Sequence, residues 1–336
     1  MSDFGRIYDL VESVLPTGAA RSTYEWRYLA NPNGKARCWV VVERSGGELV
    51  GSSSRFPWPI FHGSERQAGW FGGDLVTLPR LQRQGIFRLI TDARDSHPWE
   101  GDNIVLGAPN RISRAAVASM GHSYNTLGPF PRATLLLDYA SQLRSRSWPK
   151  TPARILGGAA NKALALWQTM NLSRPGNVRV EEITRFDSGI DALTYETMSS
   201  PHYWCYHDAA FLNWRYLQHP GNSCVAQVAI VDDGIVGYSV VRLEGEHSTL
   251  MELVVLPFPE PVADALLHGI IGIAREAGCL TLGFYATRNW RFWGALRGAG
   301  FLPRKSEVYR TVRCRNREDV SEEGYWQILP GDSDVG

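Results

Sequence analysis

The segment Trp26-Arg27-Tyr28-Leu29-Ala30-Asn31-Pro32 returns as Trp214-Arg215-Tyr216-Leu217-Gln218-His219-Pro220, and each copy is followed closely by a glycine, Gly34 or Gly221. A repeat of this kind constrains the fold more than composition does, because two copies of one plan call for two copies of one architecture. The rest of the halves runs in parallel. Leu49-Val50-Gly51 matches Ile235-Val236-Gly237, and the apolar run Asp74–Pro79 matches Glu252–Pro257, each of strand character and stopped by proline. A helical stretch follows each proline, over 84 to 95 and 260 to 276, then a short strand over 103 to 107 and 280 to 285. Asn110 and Gly121 match Asn289 and Gly300 at one common interval. A length of 336 residues also exceeds the usual single domain. The expected division is a first module over 1–140, a basic linker with a helix over 141–178, and a second module over 179–336.

Composition removes several classes of function. Thirty-five basic against 34 acidic side chains leave a net charge of +1, so the electrostatic footprint of a nucleic-acid-binding protein is missing. The five cysteines are odd in number, far apart and free of CxxC spacing; no metal site is expected, and reduced thiols in a cytoplasmic protein are the simplest account. The N-terminus lacks the basic patch and apolar run of a secretory signal, and no stretch reaches the length of a membrane span. The twelve tryptophans could line a cleft, or could fill aromatic cores and an interdomain contact, the reading slightly favoured here. From Tyr139 to Val180 there is no acidic residue, while Arg144, Arg146, Lys150, Arg154, Lys162, Arg174 and Arg179 are all present. Contact of 144–179 with an anionic membrane surface is one reading. A solvated connector, its helix near 153 to 170 interrupted at Gly157-Gly158, is the favoured one.

The most informative stretch runs from Asp74 to Ile90: a buried strand, a turn without acids, and a helix with a glycine in its first turn. A helix N-terminus offers unpaired amides and partial positive charge, which together seat a phosphate. Gly85 leaves the backbone bare where a diphosphate would approach, and Arg83 and Arg80 add local charge. Gln82-Arg83-Gln84-Gly85-Ile86-Phe87 resembles the Q/R-x-x-G-x-G/A coenzyme A loop of the GNAT N-acetyltransferase superfamily, with Phe87 in place of the last small residue, as in the RGKGIF form of tandem-repeat relatives. Asn110 and Met120-Gly121-His122 resemble the N…GF segment of that fold. The W-R-Y-L-x-x-P element and the terminal Trp326–Asp334 resemble double-GNAT proteins, some of them associated with surface-polysaccharide gene clusters.

That resemblance implies an α/β chain of two tandem GNAT folds, each a mixed, mostly antiparallel sheet flanked by helices, and an N-acyltransferase using acetyl-CoA as co-substrate. It implies backbone contacts from Val76 and Leu78 to the pantetheine arm, a diphosphate held by the amides of Arg83, Gln84, Gly85, Ile86 and Phe87, and Asn110 near the thiol. Asn110 could equally cap the following helix. In the second module, Phe258-Pro259-Glu260-Pro261 removes amides and adds a negative charge where phosphates would sit, so that copy is expected to be degenerate.

Transfer to an amine needs a proton acceptor and a proton donor. Asp74 is the candidate base, with a structural role at the strand as its alternative; a one-residue bulge would reverse its face. The family tyrosine four residues before the GF glycine is Val117 here, leaving Tyr124 as substitute acid. Trp26, Tyr28, Tyr203 and Trp204 are candidates for the acceptor, a small-molecule amine that the family association extends to an aminosugar. Asp208 reads as a helix N-cap. Two other readings stay open: a non-catalytic binding or assembly module, and an acyltransferase taking a longer acyl chain or a carrier-protein donor.

Overall fold

The computed structural model describes residues 4–96, 104–110, 113–115, 124–173, 176–221, 223–257, 261–314 and 319–333. Two large sheets dominate it. The first holds, in spatial order, strands Arg37–Val42, Leu49–Pro57, Gly69–Thr77, Ile104–Gly107, Arg310–Cys314 and Asn125–Leu127. The second holds Leu302–Arg304, Arg132–Leu136, Thr281–Tyr285, His247–Val255, Gly234–Glu244, Cys224–Val231 and Arg179–Ile183. Pairing is antiparallel throughout each, except for one parallel junction at the middle. This is the mixed, mostly antiparallel α/β plan, present twice.

Each sheet also takes a strand from the other half of the chain. Arg310–Cys314 inserts between Ile104–Gly107 and Asn125–Leu127, and Arg132–Leu136 inserts between Thr281–Tyr285 and Leu302–Arg304. Each half therefore lends one strand to the other's sheet. A third, small sheet knits the halves again: Tyr203–Cys205 pairs with Ile60–His62 on one side and with Trp326–Gln327 on the other.

Two apolar cores follow the two sheets. In the first, all nine residues of Leu49–Pro57 are buried, as expected of a strand covered on both faces. In the second, helix Val262–Glu276 sets Val262, Leu266, Leu267, Ile270 and Ala274 at helical spacing against the sheet. The expected helix near 153 to 170 extends over Lys150–Asn171 and runs unbroken through Gly157-Gly158. The glycine at 157 serves packing: a Cβ there would lie 2.3 Å from the Cα of Ala140, on the crossing helix Tyr139–Ser145. Among the described residues no helix is long and apolar enough to cross a membrane.

Candidate functional site

Strands Gly69–Thr77 and Ile104–Gly107 pair in parallel only from Gly69 to Gly72, and then part. Just past the parting a bulge occurs: Ser54 faces Gly73, whereas Ser52 faces Val76, so the Gly69–Thr77 strand carries one extra residue. Asp74 lies in it with φ 48°, and its carboxylate turns toward helix Arg21–Leu29. Its Oδ1 accepts from Arg27 at 3.2 Å and its Oδ2 from the Tyr28 hydroxyl, which also contacts Ser54 Oγ at 3.0 Å. Burial, and then the neighbouring Asp74 charge, hold the Tyr28 phenol well above its ordinary pKa, so it stays a donor. The tyrosine of the repeated W-R-Y element thus grips the acid of the central strand. The second module does the same, Tyr216 donating to Glu252 Oε1 at 2.5 Å.

Beyond the strand the chain makes a 3-10 turn over Pro79–Leu81 and enters helix Ile86–Asp95. Arg83 and Gly85 both take left-handed conformations, with φ 63° and 84°, and alternation of this kind curves the backbone into a concave, amide-lined nest. The first helical hydrogen bond runs from Leu89 N to Gly85 O, so the amides of Ile86, Phe87 and Arg88 precede any intrahelical acceptor. Gln82 through Gly85 are exposed, and a Cβ on Gly85 would meet nothing within 4 Å. The turn is open, with these amides left to face it. Arg80 differs from expectation: it bonds Glu48 and lies 3.8 Å from Glu43, so its charge is spent on the neighbouring hairpin.

The corresponding parting in the second module is filled. Strands His247–Val255 and Thr281–Tyr285 pair only from His247 to Thr249, and the C-terminal segment lies beyond. Gly331 N donates to Met251 O on one lip, and Thr287 N donates to Ile328 O on the other. Residues 326–333 are buried throughout. Asp332 Oδ1 sits 3.1 Å from His207 Nε2, and His207 Nδ1 sits 3.2 Å from Glu252 Oε1. Burial alone would push His207 down, but the Glu252 and Asp332 carboxylates outweigh it and raise its pKa to about 10. The imidazolium is the counter-ion of a buried acid pair that locks the tail in place.

The sequence matches no protein-family model and no curated protein sequence. Solved structures are similar over nearly the whole chain. A GCN5-related N-acetyltransferase from Anabaena variabilis superposes with a TM-score of 0.62 at 11% identity, covering 92% of this chain and 70% of its own. One from Kribbella flavida gives 0.57 at 15%, covering 93% and 68%. A tandem GNAT protein from the clavulanic acid biosynthesis pathway gives 0.52 at 14%, covering 94% of this chain and 96% of its own.

The chain has a tandem GNAT fold. In its first GNAT module the amides of Arg83, Gln84, Gly85, Ile86 and Phe87 lie together at the open turn, next to the parting strands. Leu78 does not offer its backbone to the parting: its N–H donates to Val50 O and its carbonyl accepts from Leu81. Alternation along the strand places Val76 on the same, already paired side, and points Thr77 outward, where its carbonyl accepts from Gln82 Nε2 at 3.3 Å. Strand parity beyond Asp74 could have identified Thr77, had the bulge been visible in the sequence. Asn110 is exposed, and its Oδ1 accepts from Ser113 N at 2.9 Å; the capping role is present.

Tyr124 and Asp74 are not brought together. Tyr124 accepts from Arg55 at 3.5 Å, while Asp74 joins Ser54 through Tyr28. Ser54 and Arg55 are neighbours on one strand and leave opposite faces of the sheet, so the two do not form an acid–base pair. The acceptor candidates are corrected as well. Tyr28 and Tyr203 are wholly buried and Trp26 nearly so. Tyr203 is sandwiched between His62 and Trp326, and Trp26 stacks on Trp214. Trp204 alone of the four is part-exposed, its indole donating to Ser200 Oγ at 3.0 Å. Aromatic abundance here serves the interdomain contact. Asp208 caps its helix, accepting from Phe211 N at 2.8 Å. Val117, Gly121, His122 and Glu260 lie outside the described residues.

Proposed function

We propose that the chain is an acetyl-CoA-dependent N-acyltransferase that transfers the acetyl group directly to a primary amine, with one working donor site, in the first GNAT module. The observation carrying this reading is the contrast between the two partings: the first leads into an exposed, amide-lined turn, and the second is filled by the chain's own buried segment 326–333. The amides of Gly85 to Phe87 would hold the diphosphate, and the outward backbone of Thr77 would align the pantetheine arm, whose thioester supplies the acyl group. Asp74 lies where the strands part and is the group to take a proton from the incoming amine, through water. An aminosugar acceptor is supported only by the resemblance to double-GNAT proteins.

Isothermal titration with acetyl-CoA tests the donor site. The wild type is expected to bind, and Gly85→Glu, which places a carboxylate at the mouth of the nest, to lose at least about tenfold in affinity. Equal affinities would remove the assignment. A second reading, a binding module without turnover, is favoured by the separation of Tyr124 from Asp74. It predicts acetyl-CoA binding with no release of CoA across a panel of amines, including aminosugars.

A further inference from the structure

Helix Lys150–Asn171 carries apolar residues on two opposite sides. Ala153, Gly157, Leu164 and Gln168 face the protein. Half a turn away, Ile155, Leu156, Leu166, Trp167 and Met170 face solvent, with exposures from 50% for Trp167 to 76% for Met170, and Trp148 just before the helix is 46% exposed. The two stripes oppose each other, which is why periodicity alone gives this helix a modest amphipathic signal. Lys162 borders the outer stripe, Lys150 and Arg154 stand exposed at the start of the helix and Arg144 and Arg146 just before it, and no acidic residue occurs from Tyr139 to Val180.

We propose that this face is a docking surface for an anionic lipid bilayer, the helix lying in the plane of the interface with its outer apolar stripe among the acyl chains. Charge complementarity selects the occupant. Anionic headgroups would meet a segment that carries exposed cations and no carboxylate, whereas a second copy of the chain set against the same segment would bring like charges together. Tryptophan at the start and near the end of the stripe suits the boundary between headgroup and hydrocarbon. Lysine and arginine stems of this length cover apolar surface while keeping their charge among the phosphates. The inference does not depend on acyl transfer.

Sedimentation of the full chain with lipid vesicles tests it. The wild type is expected to pellet with vesicles of phosphatidylcholine and phosphatidylglycerol, to stay in solution with phosphatidylcholine alone, and to be released by raised salt. Ile155→Gln/Leu166→Gln/Met170→Gln, which alters only exposed side chains, is expected to lose at least about tenfold in bound fraction while keeping the wild-type circular dichroism. Lys150→Glu/Arg154→Glu/Lys162→Glu is expected to lose as much. Absence of wild-type binding to the anionic vesicles, or undiminished binding by either variant, overturns the proposal. So does a wild-type dimer that the glutamine variant converts to monomer, with no vesicle binding by either.

Discussion

Trp26 and Trp214 hold each other by the main chain: their rings stack with centroids 4.6 Å apart, and each indole N–H donates to the other's carbonyl, at 2.8 and 3.2 Å. The two copies of the repeated element therefore meet at their first residue, back to back. Trp214→Ala is expected to cost about 3–5 kcal/mol. The Trp26→Ala/Trp214→Ala double variant should cost clearly less than the sum of the singles, because the second substitution removes a contact already lost. Urea unfolding of the four proteins measures the coupling, and strict additivity would contradict it.

The tyrosine grip on the central-strand acid separates stability from chemistry. Tyr28→Phe leaves one part-buried Asp74 oxygen without its donor and is expected to destabilise by about 1–3 kcal/mol. Asp74→Asn, if Asp74 takes the amine proton, should lower the turnover rate by about 10²–10⁴ while acetyl-CoA affinity stays near wild type. Steady-state kinetics beside a thermal melt distinguishes the two; an Asp74→Asn protein with full turnover would leave the carboxylate a purely structural part.

The His207 latch has a defined pH dependence. Its folded pKa of about 10 lies above the ordinary value of 6.5, so its stabilising contribution is complete below about pH 6.5 and is lost as pH rises through about 10. Melting temperature should fall over that interval. In His207→Gln the fall should flatten, from a starting point about 3–5 kcal/mol less stable, since Glu252 and Asp332 are left buried with their common cation removed. A wild-type slope retained by the variant would assign the effect to other groups.

Two glycines should respond to alanine for different reasons. A Cβ at Gly331 would come within 1.9 Å of Glu252 Oε1 and 2.2 Å of the Tyr216 hydroxyl, neither of which can retreat, and overpacking of about 1–3 kcal/mol is expected. Gly85 has open space around it but φ 84°, so Gly85→Ala is expected to cost about 1 kcal/mol through backbone strain alone. Chemical denaturation of both variants checks the order.

The duplicated plan was readable because the tryptophan-arginine-tyrosine element and the proline-terminated strands repeat at the level of residues, and because helix and strand periods around them are plain. The exposed turn before helix Ile86–Asp95 was readable for the same reason: Gly85, and a turn free of acids, have local causes. Long-range facts were not. Nothing near Asp74 announces the extra residue that sets the parity of Val76 and Leu78, and nothing in Tyr203 or Trp26 distinguishes an aromatic ring in a core from one in a cleft. The outer stripe of helix Lys150–Asn171 is hidden in the sequence because apolar side chains on opposite sides cancel in any periodic average. The closing of the second cleft by the tail could not be seen at all, since Gly331 and Met251 meet only in three dimensions.

The exchange of Arg310–Cys314 for Arg132–Leu136 has a consequence for biosynthesis. The first sheet lacks an interior strand until the ribosome has released Arg310–Cys314, so Ile104–Gly107 and Asn125–Leu127 must wait apart while the intervening chain is made. A fragment ending at 140 would emerge with that slot vacant and with Arg132–Leu136 unpaired, two sticky edges on one short polypeptide. Synthesis of either half by itself should therefore yield aggregates, and only the two expressed together have the strands each needs to become soluble.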